Sequence, residues 1–122
     1  MITIKYRKYN KNYNFKIMWY DIMIGKGNIV KDSEDDYSNN TSDDDFYFLD
    51  SIYIKSEYRN KGYGTKTLLL LLDKFGKYYL APDSADSKRL YDRIGNKMPK
   101  KSEEYSRFGF AIDNSFGVYT IE

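Results

Sequence analysis

Ile2, Ile4 and Tyr6 alternate with Thr3, Lys5 and Arg7 at the start of the chain, the period-two signature of a strand with one buried face. Polar, Asn-rich Tyr9–Asn14 reads as a turn. Phe15 to about Ile24 reads as a second strand, with Phe15, Ile17 and Trp19 on one side. Gly25-Lys26-Gly27 closes it, and Ile29-Val30 starts a short return strand. Phe46–Ile54 is apolar on both faces, the pattern of a central buried strand. A Leu-rich stretch from Thr65 to about Phe75 predicts a helix, and Lys77–Leu80 another short strand. Pro82-Asp83-Ser84 supplies a helix start, with Asp or Ser as the cap. That helix runs to Ile94, with Gly95 where a left-handed C-terminal cap is wanted. Phe108–Ile112 and Val118–Ile121 complete the series as two strands. The expected fold is α/β: two main helices on a mixed sheet, in a single domain over residues 1–122.

Residues 31–45 break this pattern. Between Asp32 and Asp45 stand seven acids and no Lys or Arg, which leaves 20 basic against 11 acidic side chains elsewhere. Carboxylate repulsion and the lack of apolar surface predict an acidic mobile loop there. The basic remainder suits an anionic ligand. Lys and Arg interleave with Tyr over Lys5–Lys16, but in a chain with 14 Tyr this follows the composition, and nucleic acid ranks last among the expected partners.

The chain has neither Cys nor His. This removes disulfides, thiolate and imidazole metal sites, a Cys nucleophile and the Ser-His-Asp triad. No metal is therefore expected, and acid–base chemistry falls to Asp, Glu, Tyr, Lys or solvent. The longest apolar run, Leu68–Leu72, is too short for a bilayer, and the N-terminus lacks the layout of a signal peptide; a cytoplasmic location is expected, with no membrane association.

Between the buried strand and the Leu-rich helix lies Arg59-Asn60-Lys61-Gly62-Tyr63-Gly64-Thr65. A helix N-terminus carries unsatisfied amides and partial positive charge, and glycines let a phosphate approach the backbone. The loop fits neither the Walker A pattern nor the dinucleotide fingerprint.

The stretch Ile52–Thr65 resembles the signature of the GNAT N-acetyltransferases: a hydrophobic strand, a Pro-Glu-like turn, then Arg/Gln-x-x-Gly-x-Gly/Ala. Leu90-Tyr91-Asp92-Arg93-Ile94-Gly95 is similar to the family's Leu-Tyr-Glu-Lys-Leu-Gly segment at the required spacing. The two matches cover roughly residues 46–95. The resemblance implies a mostly antiparallel sheet with a central, splayed parallel pair of strands, and acetyl-CoA as cosubstrate. It implies that Arg59, Asn60, Lys61, Gly62, Tyr63, Gly64 and Thr65 hold the pyrophosphate, largely through backbone amides. The pantetheine arm would run along Ile52 and Ile54 and meet Ser84, where the family usually carries Asn. Asn96 stands where the family has Phe.

Tyr91 matches the residue that protonates the departing thiolate. Independently, Ser84, Ser87 and Tyr91 share one helix face; the alternative for Tyr91 is a packing role with its hydroxyl bonded to backbone. Asp50, the one charge inside the buried strand and expected on the face of Phe48, Ile52 and Ile54, is either the general base or half of a structural ion pair. Family members place two helices between their first two strands as one wall of the acceptor pocket, whereas about eight residues, Arg7–Asn14, stand there here. The implied function is acetyl transfer to a primary amine, on a protein Lys or N-terminus, in a reduced form of the fold. The alternative is a non-catalytic interaction protein of the same shape.

Overall fold

A computed structural model describes residues 1–33, 45–97 and 117–122. Strands β1 (Ile2–Tyr9), β2 (Asn12–Trp19), β3 (Ile22–Ser33) and β4 (Asp45–Ile54) form an antiparallel meander. A 3₁₀ turn (Ser56–Tyr58) leads to helix α1 (Tyr63–Phe75), then β5 (Tyr78–Leu80), helix α2 (Ala85–Ile94), β6 (Asn96–Lys97) and β7 (Tyr119–Ile121). The sheet order is β1-β2-β3-β4-β5-β7-β6, and only β4 and β5 pair in parallel among the described residues. This is the expected mixed sheet with two helices. The expected strand Phe108–Ile112 and most of the expected acidic loop lie outside the described residues. Of that loop, residues 31–33 continue β3 and Asp45 opens β4.

The second strand is shorter than its pattern suggests, and the return strand far longer. The chain reverses at Tyr20-Asp21, not at Gly25–Gly27: Trp19 pairs with Ile22, and Tyr20 takes a left-handed φ of 53°. Gly25 and Gly27 sit inside β3 because neighbours press on it. A Cβ at Gly25 would lie 2.3 Å from the Tyr53 carbonyl oxygen, and one at Gly27 would lie 2.4 Å from that of Ser51 and from the Phe15 ring. The glycines mark close approach within a strand, not its end. β1 and β2 join through a tight turn at Asn10-Lys11, with Asn10 left-handed at φ 56°. No helix separates them.

α1 covers one face of the sheet. Leu68 and Leu71, fully buried on the helix, meet Phe15, Ile17, Ile24, Ile29 and Leu49 from β2, β3 and β4. Phe75 at the helix end gathers Tyr6, Tyr13 and Tyr47, with ring centroids 5.1–5.5 Å away. The Tyr78 hydroxyl donates to the Leu68 carbonyl at 2.6 Å, tying β5 to the helix and satisfying a buried polar group. Phe46, Phe48, Tyr79 and Val118 form a second cluster.

Asp50 corrects the sequence reading. Asn28 pairs with Ser51 but Ile29 pairs with Leu49, so Asp50 is the extra residue of a β-bulge. A bulge shifts the alternation by one. Ile52 and Ile54 therefore join Tyr47 and Leu49 on the α1 side, while Phe48 belongs to the other cluster. The carboxylate is exposed, not buried, and the expected desolvation argument for it falls away. Pairing on the other side of β4 stops here: β4 pairs with β5 only through Tyr47, Phe48 and Leu49, while it stays paired with β3 to Ile54.

Candidate functional site

The gap opened by the bulge becomes a cleft of about 820 Å³. Ile52 and Ile54 of β4 form one side, the loop Arg59–Thr65 the end, and α2 the other side through Ser84, Ser87 and Tyr91. Such a volume lies in the range of small-molecule and cofactor sites. Of the residues expected from sequence, Ile52, Ile54, Arg59, Asn60, Gly62, Tyr63, Gly64, Thr65, Ser84 and Tyr91 line this cleft. Asp50 and Lys61 do not.

The loop is shaped by left-handed backbone. Asn60 has φ 62° and Gly62 φ 80°; Asn tolerates this region and Gly adopts it freely. Gly62 caps α1 without a side-chain acceptor, and the first helical bond is Lys66 N–H to the Gly62 carbonyl at 3.1 Å. The amides of Tyr63, Gly64 and Thr65 precede that bond, the usual condition for an anion site at a helix N-terminus. A Cβ at Gly64 would meet only Leu90 and Ile54 side chains at 3.5 and 3.7 Å. The protein itself leaves room for a methyl there, so the small residue keeps space on the cleft side.

Arg59 folds back onto the strand. Its Nε donates to the Ile54 carbonyl at 2.7 Å, and its guanidinium lies 5.2 Å from the Tyr53 ring centroid. A strand-like ligand pairing with the Ile54 carbonyl would have to displace Arg59.

α2 starts where the sequence indicated, with Ser84 as the cap: its Oγ accepts from the Ser87 amide at 3.1 Å. Its hydroxyl also donates to Ser87 Oγ at 3.0 Å, and Ser87 Oγ donates to Asp83 at 2.9 Å. Gly95 ends the helix in extended backbone and not in the left-handed form expected; it is small because a Cβ would lie 2.8 Å from the Thr120 carbonyl oxygen. Tyr91 is buried, its ring 6.1 Å from that of Tyr119. Burial first, then the Asp83 carboxylate, pushes the phenol up to about 12, and a hydrogen bond with Ser87 pulls the other way. It stays protonated throughout the neutral range. Behind it the Tyr119 hydroxyl donates to Asp92, which also receives Lys88 Nζ at 2.7 Å. Lys88 and Tyr119 hold the Asp92 carboxyl below its ordinary value.

Sequence reasoning did not place Asp83, Asp86, Arg89 or Arg93 at the site, yet they also line the cleft. Asp86, Arg89 and Arg93 fall at i, i+3 and i+7, so helical periodicity alone could have gathered them. Asp86 pairs with Arg89 at the surface.

A profile of the acetyltransferase (GNAT) family matches residues 5–95, about three quarters of the chain. No curated protein matches. Solved structures do. A protein described as a GNAT-family acetyltransferase from Bacteroides thetaiotaomicron superposes with a TM-score of 0.56 at 23% identity, over 76% of this chain and 51% of its own. The Bacillus subtilis N-acetyltransferase YlbP in complex with coenzyme A gives 0.61 at 12%, over 88% and 65%. A GNAT acetyltransferase from Elizabethkingia anophelis with acetyl-CoA bound gives 0.58 at 12%, over 99% of this chain and 97% of its own. The chain thus spans about half the length of the first and just under two thirds of the second. At these identities the structures speak for the fold, while the match over residues 5–95 speaks for ancestry: the chain belongs to the acetyltransferase (GNAT) family.

Proposed function

We propose that the protein is an acetyl-CoA-dependent N-acetyltransferase acting on a primary amine of a protein, a Lys side chain or an N-terminus. The observation that carries this reading is the meeting, in one cleft, of uncapped α1 amides and a buried, protonated Tyr91. The cleft residues fit the cosubstrate in charge and shape. Gly62 to Thr65 offer backbone donors for a pyrophosphate, with Arg59 beside them and Lys61 adding charge at the surface. Ile52 and Ile54 give an apolar edge, free of β5 beyond the bulge, for an extended arm. Ser84 gives its one hydroxyl proton to Ser87 Oγ and accepts from the Ser87 amide, which leaves one lone pair for that arm.

Acetyl-CoA supplies an activated acyl thioester. The amine nitrogen bonds to the acetyl carbon, the carbon–sulfur bond breaks, and the sulfur takes a proton from the Tyr91 hydroxyl. A phenol near 12 holds its proton until the leaving thiolate forms; desolvation in the same cleft raises the affinity of that thiolate for it. Ser87 then turns its hydroxyl from Asp83 to donate to the phenolate, and solvent returns the proton. Asp50, exposed at the bulge and outside the cleft lining, is the carboxylate proposed to receive the proton shed by the amine through water.

Calorimetry with acetyl-CoA tests the reading. Binding is expected, with a thermal shift equivalent to about 2.7 kcal/mol at a hundredfold excess over Kd. Gly62→Glu, which puts a carboxylate on a left-handed cap beside the phosphate site, should abolish both. Absence of binding at millimolar acetyl-CoA would leave the non-catalytic interaction protein as the better reading.

A further inference from the structure

The register of the meander brings together cations that lie far apart in sequence. Lys5 of β1 pairs with Lys16 of β2, Lys16 with Lys26 of β3, and Lys26 with Tyr53 of β4. Directly paired residues share a face of the sheet. That face is opposite α1, because the neighbours Ile4, Tyr6, Phe15 and Ile17 all turn into the core beneath the helix. Lys5, Lys16, Lys26 and Tyr53 are all exposed. The next row holds Arg7, Asn14, Asn28 and Ser51, one cation and three hydrogen-bonding side chains.

Like charges placed directly opposite one another destabilise a sheet, and here two such pairs follow in one row. Among the described residues none of Lys5, Arg7, Lys16 or Lys26 has an ion pair. An arrangement with repulsion in the free protein and no internal compensation is relieved by an anion laid across it. Strand spacing of about 4.8 Å puts the three ammonium groups along a line of roughly 10 Å, a span that meets two or three consecutive phosphates of a nucleic acid strand.

The character of the row selects the class of partner. A stable protein interface has an apolar or aromatic centre and is depleted of Lys, whereas the centre of this surface is a row of three Lys, flanked by Arg7, Asn14, Asn28 and Ser51 on one side and Thr3, Met18 and Met23 on the other, with Tyr53 at its end. Binding to a sugar–phosphate backbone needs no apolar centre and is carried by cations and their released counterions. A flat sheet face has no element to enter a duplex groove, and a single strand can lie along it. We propose that the outer face of β1, β2 and β3 binds single-stranded nucleic acid through Lys5, Arg7, Lys16 and Lys26. This rests on none of the acetyl-transfer reading.

Fluorescence anisotropy with a labelled oligothymidylate of about twenty nucleotides tests it, with salt varied from 50 to 200 mM. Neutralising four phosphates gives a log–log salt slope of about −2.8, or about fifty-fold weaker binding across that range. Lys5→Gln/Lys16→Gln/Lys26→Gln should bring the slope toward −0.7 and remove most binding at 50 mM, with the melting temperature and circular dichroism reporting an intact fold. A charge-matched control, Lys66→Gln/Lys74→Gln/Lys97→Gln, should retain the wild-type slope. The proposal is overturned if the wild type fails to bind at 50 mM salt, or if the control weakens binding as much as the row variant. Tighter binding to polyglutamate would overturn it in favour of an acidic protein, and tighter binding to the duplex would overturn the single-strand assignment.

Discussion

Tyr91 shows what a single side chain owes to its surroundings. Its phenol is buried beside Asp83, and both effects favour the neutral form, so its value rises from 10.0 to about 12. The neighbouring core phenol Tyr78 is pushed up as well, by burial first and then by Tyr91 and Tyr6. The sign of the linkage follows. Groups whose folded values exceed their unfolded ones keep their full contribution below about pH 10 and lose it as the pH rises through the folded value. Urea unfolding from pH 8 to 11.5 should be flat to about pH 10 and then fall, with Tyr91 alone accounting for roughly 2 kcal/mol by pH 11.5. Tyr91→Phe should soften the fall; an unchanged slope would mean that Tyr91 titrates normally. The same variant tests chemistry. Turnover should drop about 10²–10⁴-fold while acetyl-CoA affinity barely moves, and wild-type turnover would reduce Tyr91 to a packing residue. Tyr91 is singled out in the sequence by its place in Leu90–Gly95, similar to the family's segment, and its position on the cleft wall agrees with the helix face it shares with Ser84 and Ser87. Its burial and the Asp83 carboxylate are not legible there, because they depend on how α2 lies against β7.

Elements were read from the chain more reliably than the places where strands meet. The helices, the central strand and the Gly loop followed from periodicity and capping, signals local to a few residues. The errors at β3 and at Asp50 share one cause: both are set by a partner strand. Gly25-Lys26-Gly27 looks like punctuation in one dimension, yet in the sheet it is where Phe15 and the β4 backbone come close. Gly27→Ala should therefore destabilise the protein by about 1–3 kcal/mol, although alanine normally suits a strand better than glycine does. Guanidinium unfolding would read this directly, and an unchanged or raised midpoint would show that Phe15 can swing clear. Asp50 was expected in the core by a strict period of two. One extra residue opposite Asn28 and Ile29 exposes it and turns Ile52 and Ile54 toward α1. That same extra residue releases β4 from β5, and the cleft follows from the release.

At the scale of the whole molecule, the cleft is bounded by β4, the loop and α2, and the β1–β2 connection adds nothing to it. Asn10 and Lys11 make that connection as a tight turn, with no helix between the two strands. A small amine needs a concave site that buries most of its surface. A protein acceptor brings its own surface and completes the enclosure by docking. The proposed acceptor is therefore a macromolecule presenting a Lys or N-terminal amine, and efficient acetylation should require one. The acidic run Asp32–Asp45, joined to the ends of β3 and β4, would favour a cationic acceptor by long-range attraction. Attraction between exposed charges is screened beyond about 8–10 Å at physiological salt, so kcat/KM should fall with ionic strength while kcat holds. Thiol release measured against basic proteins, polyamines, aminoglycosides and amino acids separates the cases. Rapid turnover of a small amine with no active protein acceptor would overturn the macromolecular assignment. It would leave the proposed acetyl-CoA site untouched, since the cleft is lined from β4, the loop, α1 and α2 and needs nothing from the turn at Asn10-Lys11.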